Sequence, residues 1–97
     1  MQYEWDENKC RNNIEKHGVD FADAPEIFLS PMLVLPDERR TYGEPRFIGI
    51  GVIQGRTMVI VYTERKGTKV RIISLRKANK REQTKFKKEI KNRLGPG

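Results

Sequence analysis

A hairpin signal in the middle of the chain constrains the fold most strongly. Two apolar, β-branched segments, residues 46–53 and 57–64, flank the dipeptide Gln54-Gly55. Such a connection between two such segments is typical of a β-hairpin. A turn at Lys66-Gly67 leads into a third segment, residues 70–76, and residues 32–35 form a shorter one before the hairpin. Short connections favour antiparallel pairing, so we predict an antiparallel β-meander of about three to four strands.

Helical patterns lie on both sides of these strands. Residues 6–17 start at a good N-cap residue, Asp6, and end before Gly18, while residues 21–29 follow a second cap, Asp20. Residues 78–93 place Phe86 on an apolar stripe opposite a basic one. We therefore predict one α+β domain over residues 1–94, with two N-terminal helices, the meander and a C-terminal helix. Residues 95–97 are expected to form a flexible tail.

Positive charge is concentrated near the end of the chain. Thirteen of the 20 lysines and arginines lie in residues 65–93, together with only two acids, and the net charge is +7. This asymmetry favours a polyanionic partner, although a solvated lysine-rich helix face is the alternative. A single cysteine excludes an internal disulfide or a cysteine cluster for zinc. We find neither a membrane-spanning segment nor a secretory pattern, and we expect a cytoplasmic protein without a metal or other cofactor.

Three groups of residues resemble the motifs of the BrnT toxin family. The first comprises residues 5–9 (WDENK), 13–14 (NI) and 16–21 (KHGVDF). The second comprises Asp37, residues 39–40 (RR), 42–44 (YGE) and 46–48 (RFI). The third comprises residues 62–65 (YTER) and 71–78 (RIISLRKA), with Glu82. The sequence departs from the family pattern at Leu75, where alanine is frequent, and at Ser30, where aspartate often precedes the proline.

The resemblance implies a ribonuclease toxin of a bacterial type II toxin–antitoxin module, with a fold similar to the RelE class. It implies RNA as the substrate and inhibition of translation as the outcome. It also implies neutralisation by direct binding of an antitoxin, called BrnA, whose ribbon-helix-helix part binds operator DNA. We therefore expect a 2:2 heterotetramer of toxin and antitoxin that binds the operator.

Arginines are the first candidates for the chemistry. Cleaving RNA without a metal requires a proton acceptor for the 2′-hydroxyl, positive charge for the transition state and help for the departing 5′-oxygen. Arginine suits the second role because its planar fork binds two phosphate oxygens. We predict that four arginines converge at one end and one face of the meander: Arg46, Arg65, Arg71 and Arg76. The alternative for each is a surface or ion-pairing role.

The proton acceptor is less well defined by the sequence. His17 is the only histidine, and its side chain exchanges protons near neutral pH. It shares a predicted helix face with Cys10 and Ile14, however, so a packing role competes with a catalytic one. Glu64 and Glu44 are the other candidates, although a neighbouring arginine would lower the pKa of either carboxyl.

Candidates for RNA binding are aromatic or basic. Tyr42 and Tyr62 could stack on unpaired bases, with core packing as the alternative for Tyr62. The basic stripe of the last helix is expected to attract RNA or an acidic antitoxin segment, and it includes Lys77, Lys80, Arg81 and Lys88. A non-catalytic RNA- or DNA-binding module is the alternative function.

Overall fold

Five strands and three helices make up residues 1–95, the part of the chain that this computed structural model describes. In chain order they are β1 (Gln2–Trp5), α1 (Glu7–His17), a 3₁₀ helix (Phe21–Leu29), β2 (Leu33–Pro36), β3 (Phe47–Ile53), β4 (Arg56–Arg65), β5 (Lys69–Lys77) and α2 (Lys80–Leu94). The α+β class is confirmed. Of the predicted tail, Pro96 and Gly97 lie outside the described residues.

All five strands form one sheet in the order β1-β5-β4-β3-β2. Strands β2 to β5 pair antiparallel in succession, which confirms the predicted meander. The predicted strand number of three to four was too low, because β1 pairs parallel with β5, with Tyr3 beside Val70 and Trp5 beside Ile72. β1 has only four residues and runs directly into the cap of α1, so the sequence offers too short an alternation to indicate a strand.

Helix α1 has the predicted ends but not the predicted buried stripe. The Asp6 carboxylate accepts hydrogen bonds from the backbone N–H groups of Asn8 and Lys9, and Gly18 ends the helix with φ of 70°. The buried side chains are Cys10 and Asn13, whereas Ile14 is 41% exposed. The apolar pattern failed because the helix contacts the sheet through a polar side chain.

Asn13 closes the edge of β5 beyond the end of β1. β1 follows β5 only as far as the pair formed by Trp5 and Ile72. Three residues further along β5, the Asn13 Oδ1 accepts from the N–H of Leu75 at 3.2 Å, and its Nδ2 donates to the carbonyl of Leu75 at 2.7 Å. The same Nδ2 donates to the carbonyl of Val19 at 3.0 Å. One buried amide thus takes the place of a missing strand.

The second predicted helix lies where expected but is a 3₁₀ helix. Its buried side chains, Phe21, Ala24 and Ile27, recur every third residue, which matches the three residues per turn of this helix. Pro25 lacks the N–H that an α-helix would need at that position. The helix approaches the sheet closely at Gly51, where an added Cβ would lie 2.7 Å from Cγ1 of Ile27. Glycine at this position therefore leaves the room that close packing of the helix on the sheet requires.

The helices cover the two faces of the sheet unequally. α1 and the 3₁₀ helix pack on the face that carries Met58, Ile60 and Tyr62, which we call the α1 face. α2 packs on the opposite face against β2 and β3, using Phe86 in a cluster with Val59. We call this second face the α2 face. α2 leaves the end of the face nearest Arg65 uncovered, and the candidate site lies at that end.

Candidate active site

A β-bulge in β5 brings Arg71 and Arg76 to the same face of the sheet. Regular alternation would place residues five positions apart on opposite faces. The register shifts, however, so that Tyr62 pairs with Ile72 while Val61 pairs with Ser74, and one residue of β5 has no partner in β4. Arg71 therefore lies opposite Thr63 and Arg76 opposite Val59, both on the α2 face. Their common face agrees with the prediction, although simple alternation would have separated them.

The other two candidate arginines also belong to this face. Arg46 immediately precedes Phe47, which packs on the α1 face, and Arg65 follows Thr63 by two residues in β4. Arg46, Arg65 and Arg71 thus lie at one end of the sheet. Arg76 lies about 13 Å further along, at ~3.3 Å per residue, beside α2. The structure therefore brings three of the four arginines to one end and leaves the fourth apart.

Arg65 lies between two carboxylates at the uncovered end. Its Nε is 3.6 Å from Oε1 of Glu4, and its Nη2 is 3.5 Å from Oε1 of Glu44. Glu44 also approaches Arg46, with 3.9 Å between its Oε2 and the arginine Nε. These separations exceed normal hydrogen-bond lengths. The carboxylates therefore hold the guanidinium groups loosely, and an incoming phosphate can compete for them.

Arg46 and Arg71 have the fewest partners among the arginines of this face. The Nε of Arg46 is buried and has no hydrogen-bond partner within residues 1–95, and its guanidinium carbon lies 4.0 Å from the ring centre of Tyr42. In the same range, no carboxylate oxygen lies within 4 Å of Arg71. Unpaired buried donors are uncommon and need a specific explanation, of which catalysis is one. Both arginines are available to a phosphate.

Arg76, in contrast, is fully engaged by Glu82 in the first turn of α2. Its Nη1 and Nη2 donate to the two carboxylate oxygens at 2.7 and 2.8 Å. This bidentate bond lowers the pKa of the Glu82 carboxyl and raises the pKa of Arg76. Glu82 also accepts from the backbone of Asn79, completing a capping box. The pair fixes the start of α2 to β5.

The loop between β2 and β3 is organised around the buried carboxylate of Asp37. Arg39 donates to it from Nε at 2.7 Å and from Nη2 at 2.8 Å, and the Tyr42 hydroxyl donates at 3.2 Å. The Arg39 bonds are the main cause that lowers the pKa of Asp37 to about 2. Tyr42 is thereby fixed with one ring face against Arg46. Its other face remains a candidate for stacking on a base.

We expect Asp37→Asn to lower the stability of the fold at neutral pH by about 2 kcal/mol, because the carboxyl pKa lies below its ordinary value. A carboxyl group whose pKa is lower in the folded state than in the unfolded state stabilises the fold at pH values above its unfolded-state pKa. That contribution is lost as the pH falls towards the folded-state pKa. The difference in unfolding free energy between wild type and variant should therefore be full above about pH 4 and shrink towards pH 2. Chemical denaturation across this range measures it, with Glu38→Gln, an exposed neighbour, as control. A difference in unfolding free energy that does not change with pH contradicts the lowered pKa of Asp37.

The remaining predicted site residues lie beside the arginines, away from them or in the core. Tyr62 is 4% exposed between Phe28 and Phe47, so the expectation that it stacks on RNA was wrong. Burial raises the pKa of its hydroxyl. Glu64 alternates onto the α1 face with Tyr62. His17 ends α1 and lines a hollow with Met58, also on the α1 side. The structure therefore does not bring His17 onto the arginine-bearing face, whereas Glu64 borders the same hollow as Arg65 at the end of the sheet.

The predicted RNA-binding cations near the end of the chain are all exposed: Lys77, Lys80, Arg81 and Lys88. Lys77 ends β5 rather than lying on α2, and it lines a hollow at the β3–β4 hairpin, at the opposite end of the sheet from Arg65. Lys77 is therefore separate from the candidate active site.

Glu4 is the residue at this site that sequence reasoning did not identify. Its carboxylate reaches Arg65 because β1 lies beside β5, with Glu4 paired to Arg71. The available signal was the alternation of Tyr3 and Trp5 with polar neighbours. We take as the candidate substrate site a hollow of about 520 Å³, which is lined by Glu4, Glu44, Thr63, Glu64, Arg65, Lys66 and Lys69.

Two further properties bear on the class of protein. Residues 1–95 contain no group of three or more His, Cys, Asp or Glu side chains that could hold a metal ion. Over the same residues, no helix combines the length and apolar character needed to cross a membrane.

The fold and the arginine-rich site agree with comparisons to known proteins. Residues 5–82 match the family model described as the ribonuclease toxin BrnT of type II toxin–antitoxin systems. The chain therefore belongs to the BrnT family, and this membership implies an RNA substrate and an antitoxin partner. The crystal structure of the Brucella abortus ribonuclease toxin BrnT is similar, with a TM-score of 0.68 and 34% sequence identity over 82% of this chain and 99% of that one. No curated protein matches the chain.

Proposed function

We propose that the protein is an endoribonuclease that cleaves RNA without a metal ion, by attack of the 2′-hydroxyl on the adjacent phosphorus. It acts in the cytoplasm and inhibits translation. The observation that carries this proposal is the cluster of Arg46, Arg65 and Arg71 at the uncovered end of the α2 face, where their charges are loosely held or unpaired. Such a cluster suits a scissile phosphate.

The proposed chemistry assigns a role to each group. The three arginines bind the phosphate oxygens and offset the charge that develops on them in the transition state. Glu44 takes the proton of the 2′-hydroxyl while the 2′-oxygen forms its bond to phosphorus. The bond from phosphorus to the 5′-oxygen breaks, and that oxygen takes a proton from water. The products are a 2′,3′-cyclic phosphate and a 5′-hydroxyl.

Glu44 is preferred as the base over the two other candidates because of its position. Its carboxylate lies 3.5 Å from Arg65 and 3.9 Å from Arg46, inside the arginine cluster. His17 belongs to the α1 face. Glu64 borders the hollow, but within residues 1–95 no arginine nitrogen lies within 4 Å of its carboxylate. A base must come within hydrogen-bond reach of the proton that it removes.

Incubating the folded protein with RNA in EDTA tests the reaction. Products that end in 2′,3′-cyclic phosphate support the proposal. Intact RNA under conditions where circular dichroism verifies folding contradicts it and favours the non-catalytic binding module, for which the exposed lysines of α2 are the supporting observation. Cleavage only after addition of Mg²⁺ contradicts the metal-independent mechanism.

We expect Glu44→Gln to lower kcat by about 10²–10⁴-fold, the usual contribution of a general base. KM should not rise, because the substitution removes a negative charge beside the phosphate site. Glu15→Gln, at an exposed position of α1, is the matched control and should retain wild-type rates. A Glu44→Gln variant with normal kcat would rule out this role.

The partner assignments extend the proposal. The antitoxin neutralises the toxin by direct binding, as a ribbon-helix-helix protein in a 2:2 complex that binds operator DNA. The high positive charge of the toxin suits an acidic partner segment. Co-expression with the neighbouring antitoxin gene, followed by light scattering of the complex, measures the stoichiometry.

A further inference from the structure

A second cluster of cations lies at the opposite end of the sheet from the candidate active site. Arg56 begins β4, Lys77 ends β5 and Lys87 belongs to α2, and together they line a hollow of about 380 Å³ beside the β3–β4 turn. We call these three residues the hairpin-end patch. All three side chains are exposed. Three different elements thus bring positive charge to one concave surface.

The hairpin-end patch has no ion-pair partners among the described residues. Within residues 1–95, no carboxylate oxygen lies within 4 Å of Arg56, Lys77 or Lys87. Asp23 lines an adjoining hollow together with Arg56 and Lys77, but without an ion pair to either, and Glu26 accepts a hydrogen bond from the backbone of Gln54 at 2.6 Å. The charge of the patch is therefore open to an external anion.

The distance between the two sites limits what can occupy both. Arg56 and Arg65 are the two ends of β4, which places the patch about 30 Å from the candidate active site at ~3.3 Å per residue. A nucleic-acid strand advances ~3.4 Å per stacked nucleotide, so roughly nine nucleotides are needed to span the gap. A shorter substrate can occupy only one site at a time.

We propose that the hairpin-end patch is an RNA exosite that binds backbone phosphates remote from the scissile bond. This inference rests on the proposed ribonuclease function and specifies its substrate as an RNA long enough to contact both ends of the sheet. RNA is favoured over an acidic protein for two reasons. The family acts on RNA, and one RNA strand offers phosphate groups to the cations at both sites. The patch raises affinity for long substrates without taking part in cleavage.

The test compares two fluorescent RNAs, of about four and about twenty nucleotides, shorter and longer than the roughly nine-nucleotide span. Binding is measured by anisotropy at several salt concentrations, and cleavage by initial rates. The variant Arg56→Glu/Lys87→Glu removes the patch. Lys9→Glu/Arg11→Glu, on exposed positions of α1, is the control with the same change in net charge. Circular dichroism verifies folding, and Lys87→Glu alone replaces the double variant if that does not fold.

For the longer RNA we expect the patch variant to raise Kd and KM about tenfold and to leave kcat unchanged. The slope of log K against log salt concentration should become smaller in magnitude by roughly 1.4, because two phosphate contacts on a single strand are lost. The shorter RNA should show no change. Equal losses for both RNAs, or an equal effect of the control variant, overturn the proposal. Unchanged RNA binding with lost binding of a poly-glutamate probe assigns the patch to an acidic protein instead. If the wild type cleaves neither RNA, the proposed function fails, while the anisotropy data still decide the exosite.

Discussion

Replacing Arg71 by alanine should lower kcat about 10²–10³-fold while the melting temperature stays at the wild-type value. The rate effect is the usual cost of losing one well-placed group that stabilises transition-state charge. Stability should be unaffected because, within residues 1–95, no carboxylate oxygen lies within 4 Å of Arg71. Single-turnover cleavage and thermal denaturation of the same preparation measure both quantities.

Three comparisons make the Arg71 experiment specific. Arg11→Ala, on the exposed side of α1, changes the charge equally and should leave cleavage intact. Arg76→Ala should lower stability, because it removes both hydrogen bonds to Glu82, while the folded protein should keep its cleavage rate. Arg71→Lys should restore only part of the rate, since lysine keeps the charge and loses the planar fork. A folded Arg71→Ala protein that cleaves at the wild-type rate contradicts the proposed site.

Asn13→Ala should produce the largest loss of stability, about 3 kcal/mol. The substitution leaves the N–H and carbonyl of Leu75 and the carbonyl of Val19 without their buried partner. Each unsatisfied buried group costs about 1–3 kcal/mol, reduced where water can enter. For a domain of this size we expect a fall in melting temperature of more than 10 °C, at roughly 4–8 °C per kcal/mol. Calorimetry measures it directly.

The neighbouring asparagine supplies a matched control. Asn12 is exposed on the same helix, so Asn12→Ala should change the melting temperature by little. Asn13→Asp is a second informative change, because a carboxylate can accept from Leu75 but cannot donate to either carbonyl. If Asn13→Ala and Asn12→Ala melt alike, the amide does not serve as a substitute for a strand.

Local signals in the sequence were sufficient for much of the fold. The caps at Asp6 and Gly18 and the turn at Gln54-Gly55 depend on neighbouring residues, and all three are found where predicted. The 3₁₀ conformation was not predicted because the spacing of apolar residues in that segment also fits an α-helix. The parallel strand β1 was missed because its partner in β5 is distant in the chain.

The site was harder to predict because its geometry depends on register. Arg71 and Arg76 share a face because one residue of β5 is unpaired, and no local sequence pattern indicates such a bulge. Tyr62 alternates with apolar residues, and only the aromatic neighbours from other elements decide that it is core. Glu4 meets Arg65 only through the pairing of β1 with β5. Contacts between segments that are distant in the chain therefore determine the geometry of the site, which composition and motifs do not specify.

The position of β1 also affects when the toxin can become active during its own synthesis. Gln2 in β1 has a strand to join only after Lys69 in β5 has been synthesised. Closing so long a loop is slow compared with forming a helix or hairpin. The contact between Glu4 and Arg65 therefore forms late, so a nascent chain should lack the complete candidate site until β5 has emerged.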